Sequence, residues 1–131
     1  MKVTTAKHGL RSIVTALFLF GALLFSASRA NAQTYNWMTE SQALVALDNS
    51  LNLLVLDQSN YTPGSTPWTN IENHIHYYKI VYNSINDGSS VPNAVDNGLL
   101  ALNDEKTAMA DMLPKQVLGV LRTDIINLLT L

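Results

Sequence analysis

Glu72, His74, His76 and Tyr78 form the one concentration of side chains in this chain whose types could do chemistry together. On an α-helix, Glu72 and His76 stand four residues apart and share a face, so both could reach one metal ion. His74 and His76, two residues apart, point about 200° away from each other around the axis. Zinc takes four ligands, three of them protein side chains at catalytic sites, so a pair from one helix needs partners from elsewhere. Asp48, Asp96, Asp104, Glu105 and Asp111 are the carboxylates available to converge. Neither a His-Glu-x-x-His pattern nor the paired Glu-x-x-His of di-iron bundles is present. The plainer expectation is two partly exposed histidines on a helix that also buries tyrosine and isoleucine.

Aromatic rings crowd the same stretch: Trp68, Tyr77, Tyr78 and Tyr82. Flat rings with a polar tip suit a small pocket or a partner groove. The competing expectation is that they fill the core. Tyr77 stands off the main apolar stripe of its helix and, with Tyr78, Ile80 and Tyr82, makes the candidate partner-binding or ligand-binding set.

Other chemistry finds little support. Asp48 and Asp96 lie beside apolar stripes, where burial of one carboxylate could raise its pKa for acid–base work. No nucleophile or oxyanion donor accompanies them. There is no Gly-x-Ser-x-Gly, no phosphate-cradling glycine loop and no Ser-x-x-Lys, so no enzymatic activity is expected. No cofactor is expected either. The chain has no cysteine, which removes thiol nucleophiles, thiolate metal sites and covalent haem attachment. Met38, Met109 and Met112 read as core filler rather than haem ligands.

The elements that must position these residues are helices. In the stretch 66–86, Trp68, Ile71, Ile75, Tyr78, Tyr82 and Ile85 recur at alternating steps of three and four. Tyr77, Ile80 and Val81 give it a second apolar flank, the mark of a helix wrapped by others. Thr66 with Pro67 reads as its start, with Thr69 and Glu72 as a competing capping box, and Asp87-Gly88-Ser89-Ser90 ends it. Before it, Thr39 and Gln42 form a capping-box pair that starts a helix over 40–57, striped by Leu44, Leu47, Leu51 and Leu54 and widened by Ala43, Val55 and Leu56. Residues 58–66, rich in Pro, Gly, Ser and Asn, read as a loop.

After the breaker, Ser89 or Ser90 caps a third helix with Pro92 in its first turn. Its stripe is Val95, Leu99, Leu102, Met109 and Leu113, weakened by Gly98 at a cost of about 1 kcal/mol relative to alanine. Pro114 cannot continue an undistorted helix, so a fourth helix runs over 115–129 with Leu118, Leu121, Ile125 and Leu128 inward. The alternative is one kinked helix through Pro114. The fold expected is all-α, a small antiparallel four-helix bundle, or three helices if Pro114 only kinks the last.

Residues 1–32 read as an address. Lys2, Lys7 and Arg11 precede an uncharged apolar run over 13–25, and Ala30-Asn31-Ala32 supplies a small-x-small cleavage site. The apolar run would rise about 20 Å as a helix, short of the roughly 30 Å hydrocarbon core, which favours a cleaved secretory signal peptide over an anchor. The expected domain is therefore 33–131, exported to the periplasm or the medium. It keeps four Lys/Arg against ten Asp/Glu, a formal charge of −6. Phosphate backbones and anionic lipids are held by clusters of Lys and Arg, so neither nucleic acid nor, once processed, a membrane is an expected partner.

The function expected is that of a small exported, non-enzymatic helical protein with an interaction or structural role. It would bind a protein partner or self-associate through an apolar and aromatic helix face. The alternative is a periplasmic metal- or small-ligand-binding module using Glu72 and His76.

Overall fold

The structure, a computed structural model, describes residues 34–131; the expected leader over 1–32 lies outside the described residues. Four helices make up the domain: α1 (Glu40–Gln58), α2 (Thr66–Asn86), α3 (Val91–Ala108) and α4 (Lys115–Leu129). Among the described residues there is no strand, and the all-helical reading is correct.

The helix starts follow from local chemistry. Thr39 and Gln42 close the full capping box on α1: each backbone N–H donates to the other's side chain, at 3.0 and 3.2 Å. The cap of α2 falls on Ser65, one residue before the expected Thr66, with Pro67 in the first turn, where a missing N–H costs nothing. Ser90 caps α3 through its hydroxyl, which accepts from Asn93 N–H. Pro114 settles the three-or-four question. Its extended backbone (φ −60°, ψ 150°) makes it the N-cap of α4, so α3 and α4 are separate helices and the kinked alternative is set aside.

Helix α3 ends before its expected stripe does. Met109 is its C-cap and Ala110 adopts a left-handed φ of 57°, turning the chain out of the helix. The Asp111 N–H then reaches back to the Lys106 carbonyl at 2.8 Å, closing the last turn. Met109 and Met112 are exposed as a result, so the reading of these two as core filler is corrected.

Helix α2 packs against all three others, as its two apolar flanks require. Gln58 at the end of α1 donates to the Trp68 carbonyl and to Glu72 near the start of α2, so these helices run antiparallel. Tyr77 on α2 meets Val95 on α3, and Arg122 on α4 holds Asp96 on α3 at 2.8 Å. The core is made by Leu47 of α1, Tyr77 and Val81 of α2, Val95 and Leu102 of α3, and Leu121 and Ile125 of α4.

The two ends of the described chain are tied together. Met38 N–H donates to the Leu129 carbonyl at 2.9 Å and Leu131 N–H to the Asn36 carbonyl at 2.8 Å, pairing Trp37 with Thr130 in a single antiparallel bridge. Tyr35 and Trp37 stack edge to face, centroids 5.4 Å apart, and pack on the core as the lead-in was expected to do.

Candidate functional site

The two residues read as a metal pair acquire different partners. The Glu72 carboxylate accepts from Gln58 Nε2 at 2.7 Å, on the α1 side. His76 reaches α3 instead, its Nε2 standing 3.1 Å from Glu105 Oε2. Among the described residues no group of three or more His, Cys, Asp or Glu side chains converges in a way that could hold a metal ion. Asp48 and Asp96 do not meet either: Asp48 is exposed, and Asp96 is engaged by Arg122.

His74, the histidine on the other side of α2, has the more developed environment. Its Nε2 lies 2.8 Å from Asp124 Oδ2 on α4, and its Nδ1 lies 2.8 Å from the Asn70 carbonyl. Both neighbours are acceptors, so both ring nitrogens must donate, and the geometry selects the imidazolium. The largest single influence on its pKa is burial, which disfavours the charge. The hydrogen bonds to Asp124 and to the Asn70 carbonyl, with the attraction of the carboxylate, outweigh it, and the pKa is raised.

A raised folded-state pKa makes a signed prediction. The stabilisation from His74 is fully present below the ordinary imidazole value of 6.5 and is lost as pH rises through the folded-state value. The melting temperature should therefore decline as pH rises from about 6.5. His74→Asn should flatten that slope. A variant with the wild-type pH profile would show that the ion pair does not contribute.

The His74–Asp124 pair stands on a cleft of about 430 Å³ between three helices. Helix α1 contributes Ser50 and Leu54, α2 contributes Asn70, Ile71 and Tyr78, and α4 contributes Thr123, Asn127 and Leu128. The Tyr78 phenol is held protonated, first by burial and then by the nearby Asp124 charge. Thr123 and Asn127 are 5% and 3% exposed, and neither Thr123 Oγ1 nor Asn127 Oδ1 has a hydrogen-bond partner. Sequence reasoning missed both, because nothing in the spacing of a Thr and an Asn on an apolar helix says that they are buried unpaired.

Of the candidate set Tyr77, Tyr78, Ile80 and Tyr82, only Tyr78 lines this cleft. Tyr77 is fully buried and donates to the Val95 carbonyl at 2.8 Å; Ile80 and Tyr82 are partly buried at the core margin. On the second apolar flank of α2, Tyr77 and Val81 are fully buried against α3 and Ile80 is partly buried, as a helix wrapped by others requires. Among the described residues, α1 carries four of the exposed large apolar side chains. Val45, Leu53, Val55 and Leu56 are 62%, 66%, 53% and 66% exposed, opposite the inward Ala43 and Leu47. Comparison of the chain with protein-family models, curated proteins and solved structures gave no match.

Proposed function

We propose that this protein is a small non-enzymatic interaction module, working outside the cytoplasm after loss of residues 1–32, that pairs with a second copy of itself through the outer face of α1. The observation that carries this reading is the exposure of four large apolar side chains on one helix, a patch of the kind that marks contact surfaces.

The pattern of that face supports a second copy as the occupant. Val45, Asn49, Asn52 and Leu56 are all exposed and recur at steps of four, three and four, along one ridge of the helix. Read from either end, the ridge runs apolar, Asn, Asn, apolar. Two such helices laid antiparallel about a two-fold axis would set Val45 of one copy across from Leu56 of the other, and Asn49 across from Asn52. Self-complementarity of this kind is what a two-fold contact demands. Paired asparagines fix register in helix–helix seams, and Leu53 and Val55 flank the ridge on either side. A single-helix contact belongs to the small, weak class of interfaces, so a concentration-dependent dimer is expected.

Sedimentation over a range of concentrations tests this. The wild-type protein should move from one chain mass to two. Leu56→Lys should remain monomeric with unchanged helical circular dichroism, because each two-fold interface would bury two lysines; the dimer should weaken on the order of 100-fold. A wild-type protein that stays monomeric, or a lysine variant that dimerises normally, overturns the reading.

A further inference from the structure

We propose that the cleft between α1, α2 and α4 is a binding site for a small uncharged molecule with an apolar body and an amide-like head. The site is separate from the α1 surface above, since Leu54 faces inward, on the opposite side of α1 from Val45 and Leu56.

Size comes first. A volume of about 430 Å³ falls in the range of small-molecule sites, which are mostly apolar with a few placed polar groups. Leu54, Ile71, Leu128 and the Tyr78 ring supply the apolar walls. Thr123 and Asn127 supply the polar groups, and their Oγ1 and Oδ1 atoms are unpartnered in side chains more than nine-tenths buried. Buried polar atoms are nearly always paired, so two unpaired ones, set just behind the surface of residues that line one cleft, point to an absent third party.

Their chemistry limits what that party is. Four residues apart on α4, they stand one above the other, about 5–6 Å apart at Cβ. Asn127 Oδ1 can only accept; the Thr123 hydroxyl can donate. A primary carboxamide matches both, giving an N–H to Asn127 and taking the Thr123 O–H on its carbonyl. Both atoms are sealed from solvent in this conformation. Binding therefore includes a turn of the two side chains, and for Thr123 a change of χ1 exchanges hydroxyl and methyl without moving the helix.

Charge decides between heads of similar shape. His74 and Asp124 at the cleft neutralise each other at 2.8 Å. Each is already spent on the other, so a charged head of either sign would leave water for a cleft with no free counter-charge. An uncharged head avoids that cost.

Nuclear magnetic resonance titration of the full protein with benzamide, benzoate and benzylamine tests the site. Benzamide should shift the Asn127 side-chain amide together with the Ser50 and His74 backbone signals, and benzoate and benzylamine should each bind at least about 10-fold more weakly. Thr123→Val removes the unpaired hydroxyl at constant shape. It should keep or raise the melting temperature while weakening benzamide about 10-fold, and Asn127→Leu should do the same. Shifts located elsewhere, equal binding of all three probes, no binding up to the solubility limit, or a folded Thr123→Val protein with wild-type affinity each overturns the assignment.

Discussion

Replacing Tyr77 by alanine should destabilise the domain by about 3–5 kcal/mol. Among the described residues, Tyr77 is the largest side chain that is fully buried. It sits where α2 faces α3, its hydroxyl donating to the Val95 carbonyl at 2.8 Å and its ring beside Tyr78, centroids 6.1 Å apart. Truncation leaves a ring-sized void in a close-packed interior and strands the surrounding side chains without contacts. A domain of this size is stable by roughly 5–15 kcal/mol in all, so the loss is a large share of the whole and the melting temperature should fall by more than about 10 °C. Tyr77→Phe separates the two contributions: it keeps the ring and gives up the hydroxyl bond, for about 1 kcal/mol. Urea denaturation measures both, with the midpoint falling at an unchanged slope. A loss below about 1.5 kcal/mol for alanine would place the ring outside the core.

That Tyr77 stands off the main stripe of α2 is correct arithmetic, and it points the wrong way. Periodicity shows that a helix has an apolar stripe; it does not show how many neighbours the helix has. Once α1, α3 and α4 all pack on α2, positions on both flanks of the stripe are interior. The same limit explains α1. Its leucine stripe does turn inward, with Leu47 and the neighbouring Ala43 buried and Leu44, Leu51 and Leu54 packed on the core, but apolar residues run almost all the way round, and Val55 and Leu56, read as widening that stripe, face outward. Local signals fared better because the chemistry that produces them is local. The Thr39–Gln42 box, Pro67 and Pro92 in first turns and the break at Pro114 all stand where the residues put them. What the chain could not reveal by itself were the pairings between distant residues. His74 and His76 look alike in sequence, and only packing decides that one meets Asp124, fifty residues on, and the other Glu105.

Gly98→Ala carries the sharpest disagreement between helix propensity and packing. Propensity alone makes the substitution favourable by about 1 kcal/mol, since glycine is the poorest non-proline residue in a helix interior. The packing says otherwise. A Cβ at position 98 would stand 2.9 Å from Val81 Cγ2 and 3.4 Å from both Ile80 Cγ2 and Tyr77 Cε1. Val81 cannot swing aside: it is β-branched, fixed at χ1 by its own helix, and fully buried. Relief has to come from α2 and α3 moving apart, and overpacking of this kind costs roughly 1–3 kcal/mol. The net expectation is destabilisation by up to about 2 kcal/mol, a melting temperature lower by up to about 10 °C. The cause can be isolated by cutting back the obstacle. Val81→Ala alone leaves a void, and the added methyl of Gly98→Ala occupies part of that space. The double variant should therefore be more stable than the two losses predict, by at least about 1 kcal/mol. Simple additivity would mean that α2 and α3 do not meet at Gly98, and a Gly98→Ala protein more stable than wild type would mean that the helices stand further apart than this close contact requires.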